Sequence, residues 1–155
     1  SLSTDGASGG ALLDAGVYPY EYVTGIMDGE PDAVQTTVQR GPSGVDATVA
    51  MTLRYDAGVI ADCLTSIEGF MDSEAVLSGT EGYIRQEYFL GCRRTQLYRN
   101  GGELLEAFED PEAEGFVHEI AHFTALMREG KTESQLVPLN DTLAFARFAD
   151  RALRG

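Results

Sequence analysis

An α+β fold, with a mostly antiparallel, open-faced β-sheet and helices packed on one of its faces, is predicted by three features of the sequence. A helix-period stretch lies near the amino terminus, the middle third alternates in strand period between turn signals, and two further helix-period stretches close the chain. The length of 155 residues suits one domain with one core, and 43% hydrophobic with 23% charged residues describes a globular protein.

The elements follow in order. Residues 1–8 are mostly small, a composition unable to build a core, and read as a flexible lead-in to a domain over residues 9–155. From Ala11 to Met27, apolar residues at 13, 17, 20, 23 and 27 keep helical spacing, and Gly29 supplies a stop. This helix breaks two local rules. Gly16 costs about 1 kcal/mol against alanine in a helix interior, and Pro19 removes the donor that would bond the Ala15 carbonyl. Such flaws mark functional or closely packed elements.

Ala47, Val49, Met51, Leu53 and Tyr55 alternate with Thr48, Ala50, Thr52 and Arg54, as in a strand with one buried face. A turn at Asp56-Ala57-Gly58 pairs Tyr55 with Val59, Leu53 with Ala61, Met51 with Cys63, Val49 with Thr65 and Ala47 with Ile67. The opposite face mixes Ala50, Ile60 and Leu64 with Thr52, Arg54 and Asp62, as expected of a face covered by a second subunit. Further strands are expected at 74–78, 83–88, 95–99 and 103–108, separated by the hairpin signals Thr80-Glu81-Gly82 and Asn100-Gly101-Gly102. One sheet of five to seven strands results. Phe116, Ile120, Phe123 and Met127 then mark a second amphipathic helix ending at Gly130. Phe145, Phe148, Ala149 and Ala152 mark a third, capped by Asn140 or Asp141.

The formal charge of −14 opposes binding to a phosphate backbone, so nucleic acid is not an expected partner. No apolar run reaches membrane-spanning length and the start lacks a signal-peptide pattern, so the expected location is cytoplasmic. Cys63 and Cys92 are too few for a disulfide framework and read as reduced thiols.

Three sets of residues are candidates for chemistry. His118-Glu119-Ile120-Ala121-His122 has the H-E-x-x-H spacing that lets two histidines on one helix face hold zinc while the glutamate activates water. A catalytic zinc needs a third protein ligand, and no further histidine follows, so a solvated polar flank is the preferred reading of His118 and His122. Asp14 and Tyr18 stand four residues apart on one face of the first helix, where a phenol can exchange a proton and a carboxylate can orient it. On spacing alone they are equally an exposed acid and a partly buried aromatic. Gly6, Gly9 and Gly10 precede that helix, but without a strand before them or the G-x-G-x-x-G spacing they make no dinucleotide fingerprint.

The run Gly9-Gly10-Ala11-Leu12-Leu13-Asp14-Ala15-Gly16-Val17-Tyr18-Pro19 closely resembles the segment that opens the second domain of the glucose–fructose oxidoreductase, inositol dehydrogenase and rhizopine-catabolism family. Gly79-Thr80-Glu81-Gly82-Tyr83-Ile84 is similar to that family's strand–turn–strand element. Gly115-Phe116, Glu119-Ile120, Gly130, Glu133-Ser134 and Pro138-Leu139 are similar to its closing helices, so the resemblance runs from about residue 9 to 153.

The resemblance implies the carboxy-terminal, substrate-binding and oligomerising domain of an NAD- or NADP-dependent dehydrogenase acting on a sugar, polyol or diol. The Rossmann domain that holds most of the cofactor, and a lysine in a Glu-Lys-Pro motif, would lie in the other half, leaving this chain inert alone. Asp14 and Tyr18 map onto the family's catalytic pair, Gly9 and Gly10 would lie near the nicotinamide, and the sheet face would form a homo-oligomer. Tyrosine at 18 is more similar to the dihydrodiol or xylose dehydrogenase and glucose–fructose oxidoreductase branches than to the inositol branch. Two other readings of the residues stand beside this one: a non-catalytic oligomerisation module, and a zinc hydrolase using His118 and His122.

Overall fold

The computed structural model describes residues 9–110 and 115–154, so the lead-in expected at 1–8 lies outside the described residues. In chain order the elements are a π-helical turn (Leu12–Gly16), α1 (Val17–Met27), β1 (Ala33–Arg40), β2 (Asp46–Tyr55), β3 (Val59–Ser66), β4 (Ala75–Ser78), β5 (Gly82–Glu87), β6 (Arg94–Arg99), β7 (Leu104–Glu109), α2 (Gly115–Arg128) and α3 (Leu139–Arg154). The α+β class is as predicted. The single sheet is not: the strands form two antiparallel sheets, ordered β1-β2-β3 and β4-β5-β6-β7, in two compact units. One unit comprises Ser1–Met71 with Gln135–Gly155, the other Asp72–Ser134.

In the first unit the pairing of β2 with β3 has the expected register, Tyr55 opposite Val59, Leu53 opposite Ala61, Met51 opposite Cys63 and Val49 opposite Thr65. The Ile67 amide donates to the Ala47 carbonyl at 3.0 Å and extends that register by one more residue. Period-2 burial explains the match, because a slip of one residue would drive Val49, Met51 and Leu53, all buried, to the other face. Strand β1, unanticipated from the sequence, pairs Val34 with Leu53 and Val38 with Val49. Both valines pack against the core.

Helices α1 and α3 lie on this buried face. Tyr20 of α1 stacks on Phe148 of α3 with ring centroids 4.9 Å apart and planes 7° off parallel, and tilts against Phe145 at 5.3 Å. Ala144, Phe145, Phe148 and Ala149 are buried, in agreement with the predicted stripe of α3. The stripe of the first helix differs from the expectation. Leu12, Gly16 and Tyr20 are its buried positions, while Leu13 is 49% exposed. The wide π turn, with its i→i+5 bonding, shifts the phase of every residue before it relative to a 3.6-residue count. Helix α1 ends with Asp28 in the left-handed region at φ 54°, and the Gly29 amide bonds back to the Thr24 carbonyl at 3.1 Å.

In the second unit, successive antiparallel pairs set Leu77, Ile84, Leu97 and Glu106 in one row across the sheet. Tyr83 stacks on Tyr98 across β5 and β6 at 4.9 Å. Arg85 grips Glu74 through two nitrogens, at 2.9 and 2.8 Å, which holds the Glu74 carboxyl below its ordinary value. The predicted core stripe of α2 is not buried: Phe116, Ile120, Phe123 and Met127 are all exposed. Amphipathic spacing identifies an apolar face but not what covers it.

Candidate active-site helix

The site begins with two glycines that have different reasons to be glycine. Gly9 has φ +79°, a backbone region that β-carbons disfavour. Gly10 has an ordinary backbone but no room, since a Cβ there would lie 1.7 Å from Asp46 Oδ1. Asp46 is itself buried and accepts the Leu12 amide on Oδ2 at 2.7 Å. That amide belongs to the first turn of the helix, whose leading N–H groups have no partner within the helix itself. The residue at the cap position, Ala11, offers no side-chain bond, so the acceptor comes from 34 residues away on β2.

Asp14 lies inside the π turn and Tyr18 in the first turn of α1, and both are exposed. The helix beneath them is fixed closely to the sheet. A Cβ on Gly16 would meet Leu12 Cδ1 at 2.9 Å and Thr65 Cγ2 at 3.4 Å, so glycine at this position lets the turn approach β3. The Cys63 thiol lies 3.9 Å from the Pro19 carbonyl and can donate to it. Burial pushes that thiol up to about 11, reinforced by Asp62. It is therefore neutral near pH 7 and structural rather than nucleophilic. Burial also pushes the Tyr20 phenol up to about 12, with Glu30 adding to it, so Tyr20 is a packed aromatic and no proton carrier. Of the two tyrosines flanking Pro19, only Tyr18 is exposed.

The two glycines do not fit a dinucleotide cradle. The space left by the missing Gly10 side chain is filled by a carboxylate, which would repel a pyrophosphate. The geometry of Gly9 and Gly10 is accounted for by the helix start.

His118 is exposed, as a solvated flank requires, but His122 is half-buried with Nε2 2.8 Å from Ser134 Oγ. Among the described residues no cluster of three or more His, Cys, Asp or Glu side chains is arranged to hold a metal. An open depression of about 640 Å³ in the second unit is lined by the 77–84 segment with Leu97, Tyr98, Arg99 and Leu105, and includes neither Asp14 nor Tyr18. Sequence reasoning missed Asp46. The available signal was an acid beside Ala47 at the start of a strand whose other alternate residues are apolar.

Known proteins resemble the chain over most of its length. It is 29% identical to trans-1,2-dihydrobenzene-1,2-diol dehydrogenase of Danio rerio across 94% of this chain and 46% of that protein. Against the Homo sapiens protein of the same name it is 28% identical across 87% of this chain and 42% of that one. The chain thus spans about half the length of the curated relatives it matches. In fold it is similar to levoglucosan dehydrogenase solved with NADH and levoglucosan (TM-score 0.77, 18% identity, 99% of this chain and 50% of that one). It is also similar to an aldose-aldose oxidoreductase from Caulobacter crescentus solved with glycerol (TM-score 0.75, 20% identity, 94% of this chain and 45% of that one). Residues 2–85 match the GFO/IDH/MocA C-terminal domain, and with more than half of its length inside that match the chain belongs to the GFO/IDH/MocA family.

Proposed function

We propose that this chain is the substrate-side half of an NAD- or NADP-dependent oxidoreductase that oxidises a CH–OH group of a sugar, polyol or diol. Asp14 and Tyr18 are its proton-handling pair. The observation that carries the reading is the helix Leu12–Met27: held on β2 and β3 through Leu12, Gly16 and Cys63, it leaves Asp14 and Tyr18 exposed on its outer side. Relatives named as diol dehydrogenases, and fold neighbours solved with NADH and levoglucosan or with glycerol, support the substrate class.

The nicotinamide would accept or return the hydride and is assigned to a Rossmann half of the same protein, because Gly9-Gly10 makes no phosphate cradle. This chain's residues act on the hydroxyl. Tyr18 Oη takes up or returns its proton, and the Asp14 carboxylate orients the phenol and the substrate. A phenol serves as a base near neutrality only beside a cation, which a lysine of the Rossmann half would supply. Alone, the chain neither binds the cofactor nor turns over substrate. The sheet face bearing Ile60 and Leu64 joins two copies in a cytoplasmic enzyme.

Kinetics of the full-length protein test the assignment. Tyr18→Phe should lower kcat by about 10²–10⁴ with cofactor affinity retained, and Asp14→Asn should change kcat and substrate KM together. Near-normal turnover in both variants would remove the pair from the active site.

A further inference from the structure

We infer that Asp46 is a positioning residue for the reaction, the carboxylate that sets where the helix bearing Asp14 and Tyr18 begins; this rests on the function proposed above. The pairing of β1 with β2 supplies the first argument. Thr48 faces Gln39, yet the next pair is Arg40 with Asp46, so β2 spends one extra residue at Ala47. In a regular ladder Ala47 would face Arg40, and Asp46 would share the exposed face of Thr48 and Ala50. The register shift instead puts Asp46 on the face of Val38 and Val49, under the helix. Bulges of this kind re-aim side chains beside functional sites.

The second argument is the fit of the carboxylate. Asp46 is 5% exposed, Oδ2 takes the Leu12 amide at 2.7 Å, and Oδ1 fills the space where Gly10 has no side chain. A buried carboxylate on the leading N–H groups of a helix is favoured by the helix dipole as well as by the hydrogen bond. Leu12 begins the π turn that contains Asp14 and leads into Tyr18, and no side-chain cap comes from Ala11. A shift of the first turn would therefore carry Asp14 and Tyr18 with it. Misplacement of a catalytic group by about 1 Å can cost about 100-fold in rate.

The test uses the full-length protein with three variants, Asp46→Ala, Asp46→Asn and Tyr18→Phe, at a temperature where circular dichroism shows each folded. In Asp46→Ala, amide exchange in the peptide covering residues 9–18 should rise about tenfold. Its kcat should fall about 10- to 100-fold with cofactor KM unchanged. Asp46→Asn keeps an oxygen acceptor for the Leu12 amide and should restore both readouts to within a few-fold of the parent. If Asp46→Ala exchanges faster but turns over normally while Tyr18→Phe is impaired, Asp46 only stabilises the helix and the inference is overturned, with the proposed function intact. If Tyr18→Phe turns over normally, the proposed function falls and this inference falls with it. If Asp46→Ala does not fold, Asp46→Asn decides: near-parent turnover supports the acceptor role, and a loss as large as that of Tyr18→Phe overturns it.

Discussion

The Tyr20 ring lies flat on Phe148, 4.9 Å between centroids and 7° from parallel, and this contact fastens α1 to α3 across 128 residues of chain. Phe148 is 3% exposed and also meets Phe145. Phe148→Ala should cost about 3–5 kcal/mol, the range for truncating a buried phenylalanine. Urea unfolding followed by circular dichroism measures it, and a cost below about 1 kcal/mol would mean that the two helices are held together elsewhere.

Gly10 and Gly25 should respond to alanine in opposite directions. Gly25 is exposed within α1 with nothing near its missing Cβ, so Gly25→Ala should stabilise by about 0.5–1 kcal/mol. Gly10→Ala would push a methyl group into the Asp46 carboxylate and should destabilise by about 1–3 kcal/mol. Much of that cost should vanish when Asp46→Ala is already present, a coupling that a double-mutant cycle of melting experiments reads directly. Additive effects would show that the two residues do not compete for the same space.

What was legible in the sequence depended on whether the governing contact was local. The β2–β3 hairpin could be registered because a three-residue turn and a strict alternation from Ala47 to Tyr55 leave one consistent pairing. Asp46 could not be identified as a helix cap, because its partner amide lies 34 residues away and the bulge at Ala47 reverses the face that alternation would assign it. Leu13 keeps the helical spacing of the apolar positions yet is exposed, because a 3.6-residue count does not foresee a π turn. Strand β1 carries a weak sequence signal, because Gln35, Thr36, Thr37 and Gln39 dilute its apolar pattern to Val34 and Val38. Asp14 and Tyr18 are proposed on the strength of the family motif around them, because their spacing alone does not single them out.

The outer face of the first sheet presents Ile60, 67% exposed, and Leu64, 55% exposed, beside Thr52, whose hydroxyl donates to Asp62 at 2.7 Å. Aliphatic side chains set among satisfied polar pairs suit a self-complementary interface. Sedimentation velocity at tens of micromolar should therefore find a dimer or a higher closed oligomer. Leu64→Arg should dissociate it with the circular dichroism spectrum unchanged. A parent protein that sediments as a strict monomer would assign this face some other role.

Stability should decline on the alkaline side through Cys63 and Tyr20. Burial raises the Cys63 thiol from 9.0 to about 11, so the folded protein holds that proton more tightly than the unfolded chain does. The stabilisation is complete below pH 9 and disappears as pH climbs through about 11, a loss on the order of 2 kcal/mol for a thiol this deeply buried. Tyr20, raised from 10.0 to about 12, adds a second loss beginning near pH 10. Urea midpoints between pH 8 and 11 should fall for the parent and fall less steeply for Cys63→Ala, although that variant starts lower because it gives up packing at an 8% exposed site. The same burial separates the two cysteines chemically. Because the thiolate is the reactive form, exposed Cys92 should be alkylated by N-ethylmaleimide at pH 7.5 well before Cys63, and Cys63 should react only at the rate of unfolding. Equal alkylation of both thiols under native conditions, or identical alkaline slopes for the parent and Cys63→Ala, would show that the thiol beneath Pro19 is open to solvent and that α1 is not held there.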